Sequence, residues 1–446
     1  MLRRLPLLLL LWLPFLRAAP EAILVVVGDQ HSAHEHSAQL VARVDSLREA
    51  KPSVPLAVLI NGDSLELGNA VARRTGGSLD FAVFTTLARR VPVVINLGNH
   101  EPEFFDVAET VRRLRAAGLV VISGNLRNSA DGKPYADAST RLRLGGHELT
   151  IVGVTTDRLS TYRVAIRPQL DLADPVVWAR TNFSELLGKA ALPVVLSHCG
   201  LKADRALLPL APAGTLFAGA HDHLRFVHAA DDKVYFHSGS WMEFVSIARL
   251  ERTAKGLRWS VSQEPLGENS SDPEISALVR ETLAQQLTEE EQVVVGRSPL
   301  TLGPGDAARL VVEAARVAVA ADAAMVGGTT FGAGLPEGPV TRFAFDACVR
   351  FDGPLFMAEV SGAWIKRLLA RSNQGPETPW ADRAGENLVT VAPAVIDEGA
   401  RYRFVTTDWV ARNAAAYLGA DAPALTQHPS ARLKAAALAA LRSSAP

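Results

Sequence analysis

Seven side chains in the first 223 residues could together bind divalent cations: Asp29, His31, Asp63, Asn99, His198, His221 and His223. Two carboxylates, one amide oxygen and four imidazoles suit borderline divalent metals such as Zn²⁺, Mn²⁺, Fe and Co²⁺. Each residue alone has an ordinary explanation. An Asp after an apolar run is often a turn residue or helix cap, and a lone His is commonly a hydrogen-bonded surface residue. Their placement argues for a shared role, because all seven sit at or just after the end of a short apolar run.

Those runs are AILVVVGDQH, PLAVLINGD, VPVVINLGNHE, LPVVLSHCG and TLFAGAHDH, with LTIVGVTT between the third and fourth. Short aliphatic, β-branched runs bounded by Gly, Asn or Asp read as buried strands. Ala38 to Ala50 and Phe104 to Ala117 have helical spacing. The pattern is α/β with βαβ-like units at its start. In such sheets the carboxyl ends of the strands share one edge, where ligands bind. FVHAADDKVYFHSG and FVSIARLERTAKGLRWSVSQ read as antiparallel hairpins. PLGENSSDPE, near residue 264, reads as a linker, and Ile275 to Gln292 has helical periodicity. A second unit begins around Leu300, with Asp306 as N-cap of a helix over Ala307 to Met325. Ser430 to Ser443 is expected to close the chain as a helix.

The blocks resemble the calcineurin-like metallophosphoesterases. That family's order is Asp-x-His, Gly-Asp, Gly-Asn-His-Glu, a lone His and His-x-His. Here these stand as Asp29-Gln30-His31, Gly62-Asp63, Gly98-Asn99-His100-Glu101, His198 and His221-Asp222-His223. The segment MVGGTTFGAGLPEGPVTRFAFDACVRFDGPLFMAEVSGAWIKRLL and the run VYFHSGSWMEFVSIARLE are similar to the second domain and closing hairpin of the 5'-nucleotidase family. The resemblance implies an α/β fold, a metallophosphoesterase four-layer αββα sandwich followed by a second, smaller α/β substrate-recognition domain. The expected division is leader 1–19, first domain 20–263, linker and connecting helix 264–299, and second domain 300–446. Two divalent ions are implied, one on Asp29, His31 and His223, the other on Asn99, His198 and His221, with Asp63 bridging. His100 is the implied catalytic histidine, supported by Glu103; Asp106 is the other acid in reach. Phe331 in GGTTFGAG and Tyr417 in ARNAAAYLG are the implied aromatic rings for a nucleotide base. Their plainer roles are a core ring and an ordinary helix-face aromatic. The Gly-rich loop has no arginine, which many nucleotidases carry there.

The activity implied is metal-dependent hydrolysis of a small phosphorylated substrate, with nucleotides first among the candidates. The alternatives are a cyclic nucleotide phosphodiesterase, a nucleotide-sugar hydrolase, a thiosulfohydrolase-like relative, or an exported metal- or ligand-binding protein without turnover. Lys and Arg number 46 against 47 Asp and Glu, so no basic excess exists to hold nucleic acid. The start, MLRRLPLLLLLWLPFLRAAP, has a basic head, a short apolar stretch and small residues, as a secretory signal does. Its apolar run is shorter than the roughly 20 residues a spanning helix needs. The expected location is therefore secreted or periplasmic, without a membrane span after cleavage. Cleavage would remove Arg3, Arg4 and Arg17 and move the formal charge from −1 to −4. Cys199 and Cys348 are too few for a disulfide framework and are expected as free, buried thiols.

Overall fold

The run AILVVV, Ala22–Val27, is buried at every position, and its side chains alternate between two cores. Ala22, Leu24 and Val26 pack with Leu59, Val94, Leu149, Leu196, Ala218 and Phe236. Ile23, Val25 and Val27 pack with Leu40, Val44, Val83, Leu87 and Leu114 of flanking helices. A strand covered on both faces reads as a continuous apolar run, which is why these segments stand out in sequence. The protein is described here by a computed structural model covering residues 19–230, 232–267, 270–385 and 387–443. The expected leader, apart from Ala19, lies outside the described residues.

Two six-stranded sheets face each other across the first of those cores. One runs in the order Gly256–Pro265, Phe244–Thr253, Ala22–Val27, Leu56–Asn61, Val93–Asn96, Val120–Ile122. Its last four strands are parallel. The other runs Arg225–Ala230, Lys233–Ser238, Leu216–Gly219, Leu192–His198, His147–Thr155, Ser139–Leu144. Its outer face packs on helices Pro175–Leu187 and Leu201–Leu207 through Val154, Val195, Phe217, Phe183 and Leu207. The layers are helix, sheet, sheet, helix, the expected sandwich. Both hairpins pair antiparallel. Buried amides tie the two sheets at the edge that carries the site. Asn61 Nδ2 donates to Ser197 O and Ala218 O, both at 2.9 Å. Asn96 Nδ2 donates to Asn61 Oδ1 at 3.1 Å and to Val154 O at 2.9 Å.

A five-stranded sheet forms the core of the second α/β unit. Its order is Leu388–Val391, Ala323–Gly327, Arg401–Thr407, Pro354–Ser361, Thr426–Arg432. Helices Pro304–Ala318 and Leu433–Ser443 cover one face through Val311, Val312, Leu433 and Leu441. Helix Gly362–Leu369 covers the other through Trp364, Ile365 and Leu368. The helix expected over 307–325 instead starts at Pro304, with Gly303 as its N-cap, and stops at Ala318. Proline fits the first helical position because its missing N–H has no helical acceptor there. Ala323–Gly327 is a buried strand, which an Ala/Val-rich run does not distinguish from helix. The closing helix begins at Leu433, and Thr426–Arg432 is an edge strand. The helical stretch 275–292 divides into Pro273–Gln286 and Glu289–Gln292, the second opened by a Thr288–Glu291 capping box.

The second unit is seated on the first by Trp380, which stacks on His228 at 4.7 Å, and by Arg205, which donates to Trp380 O and Arg383 O. Cys199 and Cys348 are free and buried. Among the described residues no helix is long and apolar enough to cross a membrane.

Candidate metal centre

Five of the seven candidate ligands have a backbone that L-residues rarely adopt. Asp29, His31, Asp63, His221 and His223 have φ of 50°, 49°, 53°, 88° and 58°. Each such residue costs on the order of 1–3 kcal/mol and persists only where its surroundings hold it. Those restraints are present. Asp29 N donates to Gly62 O at 3.0 Å, and His31 N donates to Asp63 O at 2.9 Å. His221 N donates to both Asp29 carboxylate oxygens, at 3.1 and 3.0 Å. His100 N donates to Asp63 Oδ1 at 2.7 Å. This turn passes so close over Asp63 that a Cβ at Gly98 would lie 2.4 Å from Asp63 Oδ1. The buried Glu101 carboxylate accepts from the backbone N–H groups of Asp63, Ser64 and Gly98, locking the second and third blocks together.

The side chains converge in two groups. Asp29, His31 and His223 offer donor atoms within 4.8 Å of one another, and so do Asp63, His198 and His221. His31 Nε2 and His223 Nε2 face each other at 3.0 Å. His31 Nδ1 lies against Glu66 Oε2 at 3.2 Å, which favours its proton there and leaves Nε2 bare. His198 Nδ1 likewise faces Asn61 O at 2.7 Å. Asn99 Oδ1 and His221 Nδ1 are buried with no hydrogen-bond partner, and His198 Nε2 lies 3.0 Å from Asp63 Oδ2. Unpartnered buried atoms of these types beside the Asp63 carboxylate group fit divalent cations. Burial, then Arg350, hold the His31 imidazole well below its ordinary pKa. Burial takes His221 down to about 3 and His223 to about 4. Neutral imidazole is the form that binds metal. Burial pushes the Asp63 carboxyl up, but His198 and His100 beside it prevail and hold it well below the usual range.

Residues 23–225 match the family model described as calcineurin-like phosphoesterase. The first unit is therefore similar to the calcineurin-like phosphoesterases over somewhat less than half of the chain. Solved structures extend the likeness over the whole fold. A 5'-nucleotidase precursor from Thermus thermophilus is 19% identical with a TM-score of 0.62, covering 95% of this chain and 96% of that one. The sulfate thiohydrolase SoxB of Thermus thermophilus is 15% identical at 0.65, covering 96% and 95%. The NAD nucleotidase of Haemophilus influenzae is 16% identical at 0.52, covering 89% and 90%. No curated protein matches the chain. The likeness to a phosphoesterase family thus covers residues 23–225, and the rest of the chain shares its fold with these solved structures.

His100 lies beside the donors. Its Nε2 is 4.0 Å from Asp63 Oδ2, and its Nδ1 is 3.2 Å from Glu103 Oε1. Burial disfavours its charge, but Asp63 and Glu103 outweigh burial and hold its pKa at about 10 in the absence of cations. Asp106 is the N-cap of helix Val107–Ala116 and accepts from Glu109 N at 2.7 Å. Glu103→Gln is expected to lower kcat roughly 10- to 150-fold, the worth of a hydrogen bond to a charged group, with bound metal unchanged. Asp106→Asn keeps the cap and is expected to leave kcat as it was. Steady-state kinetics with metal content on the same samples checks both.

The two expected base-holding rings are not brought together. Phe331 is 5% exposed and packs in the core under helix Pro304–Ala318. Tyr417 packs with the cluster on the opposite face of the same sheet. The loop glycines serve tight packing: a Cβ at Gly332 would lie 2.4 Å from the Trp241 ring. Four other residues come to the region, and a fifth, Trp409, is an exposed ring of the second unit. Glu66 lies between His31 and His100, 3.2 and 3.7 Å from their Nδ1 atoms. Arg350, from the second domain, is paired with Glu66 and buried. Trp241 stacks on His31 at 5.6 Å. Phe351, 53% exposed, lies 5.0 Å from the Arg350 guanidinium. Trp409, 41% exposed, follows Asp408, against which Gly353 packs. Its indole N–H donates to Tyr417 Oη at 3.0 Å. The sequence signal for these was slight: Phe351 and Trp409 stand in polar surroundings, and nothing local marks Arg350 or Glu66.

Proposed function

We propose that the protein removes phosphate from nucleotides, with the metal ligands, the catalytic histidine and the base-holding rings on separate parts of the chain. The observation that carries this reading is Arg350. The second domain delivers this guanidinium, 4% exposed, to Glu66 beside the metal centre. Its Nε is buried without a hydrogen-bond acceptor, and an anionic oxygen of the substrate would supply one. It stands in for the arginine missing from the Gly-rich loop.

Asp29, His31 and His223 would hold one divalent ion and Asn99, His198 and His221 the other, with Asp63 between them. Such ions neutralise phosphate oxygens and lower the pKa of the attacking water. Glu103 fixes His100 through Nδ1, so Nε2 presents a proton to the departing alkoxide. Asn99 supplies an uncharged oxygen, which adds no repulsion beside an anion. Phe351 and Trp409 are the exposed rings on which a base would stack, in place of Phe331 and Tyr417. The signal-like start supports export, and N-terminal sequencing of the mature chain tests it.

Hydrolysis rates across nucleoside mono-, di- and cyclic phosphates, NAD and an S-sulfonated thiol test the substrate class. Turnover confined to the sulfonated thiol would overturn the nucleotide reading. Base stacking on an aromatic ring is worth about 1–3 kcal/mol. Phe351→Ala or Trp409→Ala is therefore expected to raise KM for a nucleoside monophosphate roughly 5- to 150-fold. 4-Nitrophenyl phosphate, which has no base, should be hydrolysed as before. Equal losses on both substrates would remove the stacking role.

A further inference from the structure

A second ionisable cluster lies behind the metal centre, and neither catalysis nor substrate binding as described above uses it. Ser197, Asp204, Tyr235 and His237 are all buried, and they come from strand Leu192–His198, helix Leu201–Leu207 and strand Lys233–Ser238. His237 is its centre. Its Nε2 lies 2.6 Å from Tyr235 Oη and 3.3 Å from Asp204 Oδ2. Its Nδ1 lies 3.1 Å from Asp222 Oδ1, at ion-pair distance. Tyr235 Oη donates to Asp204 Oδ2 at 2.9 Å, and Ser197 Oγ donates to Asp204 Oδ1. The Phe226 ring stacks on the imidazole at 5.0 Å.

The cluster leaves no room for a larger residue in the turn it supports. A Cβ at Gly219 would lie 2.1 Å from His237 Nε2 and 2.5 Å from Asp204 Oδ2. Two positions beyond lies His221, then Asp222, then His223. Asp222 has two anchors, His237 through Oδ1 and the Leu201 N–H through Oδ2 at 2.7 Å. On either side of it, His221 and His223 have φ of 88° and 58°. These two histidines belong to different donor groups, His223 with Asp29 and His31, His221 with Asp63 and His198. One carboxylate therefore governs a strained turn that serves both groups.

We infer that Asp204 and His237 are positioning residues of the metal centre: a buried carboxylate–imidazole pair that holds Asp222 and through it fixes His221 and His223 relative to each other. The inference rests on the assignment of those two histidines as ligands. Partners one layer behind metal ligands are worth roughly 10- to 100-fold in metal affinity. Because one turn serves both groups, the loss falls on both ions together.

The test titrates metal-free protein with Mn²⁺ alone by calorimetry, with circular dichroism on each sample. The wild type should bind two Mn²⁺. His237→Ala and Asp204→Asn should each bind both ions more weakly, by roughly 10- to 100-fold. KM at saturating Mn²⁺ should stay at its wild-type value, because neither residue meets substrate. His237→Gln, which can still donate to Asp222, should recover part of the affinity, and it replaces His237→Ala in the comparison if that variant does not fold. Folded variants with wild-type affinity, or weakening at one site alone, would overturn the inference. A wild type that binds no Mn²⁺ would instead overturn the ligand assignment on which it rests.

Discussion

Asp63→Ala is expected to abolish phosphoesterase activity and to lower the number of divalent ions bound per chain. Asp63 has a place no other side chain can take over. Its carboxylate lies 3.0 Å from His198 Nε2 and accepts from His100 N at 2.7 Å, so it touches both the donor set and the turn that carries His100. Removing one preorganised electrostatic group costs roughly 10²–10³ in kcat, and here the loss should exceed that range because both ions depend on the same carboxylate. The histidines around it would also lose the charge that balances them, since Asp63 is what raises the pKa of His198 to about 10 against burial in the absence of cations. Metal analysis beside a phosphatase assay checks this. Full turnover in the variant would refute the bridging role.

His100→Ala should have the next largest effect and a different signature. The variant should keep its metal and lose roughly 10²–10⁴ in kcat, the contribution of a positioned general acid. His31, Glu66 and His100 form a third group of converging donor atoms, but His100 Nδ1 is paired with Glu103 at 3.2 Å, and the proton-donor role is assigned to His100 on that pairing. A phosphoester whose leaving group needs no proton, such as 4-nitrophenyl phosphate, should lose less than a nucleoside monophosphate does. Loss of metal in this variant would make His100 a ligand. An equal loss on both substrates would deny it the role of proton donor.

The part of this site that could be read from sequence is the part organised by strand ends. Asp29, Asp63, Asn99 and His198 each follow or close an apolar run, and the α/β rule places such positions on one edge. Six of the seven candidate ligands, all but Asn99, accordingly come together from two different sheets. Glu103 is named through the family resemblance and preferred to Asp106 on that ground, and the structure adds that Asp106 caps helix Val107–Ala116. Arg350 and Glu66 could not be named at all, because their pairing exists only once the second domain is seated on the first. Phe331 shows the opposite failure. A phenylalanine among glycines looks exposed when the neighbouring chain is considered alone, yet its ring fills the core beside Phe345. Those glycines are small because Trp241 and Leu302 press against them. Phe351 and Trp409 are by contrast open to solvent, Phe351 beside Arg350 and Trp409 on helix Asp408–Arg412. The strand–helix confusion at Ala323–Gly327 is tertiary in origin: burial on both faces removes the alternation that would have marked a strand.

The central claim is that two divalent ions sit in the two donor groups with Asp63 between them. Anomalous diffraction from crystals of the full chain grown with Mn²⁺ tests it most directly. The account predicts two anomalous peaks, one in contact with Asp29, His31 and His223, the other with Asn99, His198 and His221, and Asp63 touching both. A single peak, or peaks bound by His100 and Glu66 in place of these residues, would contradict it.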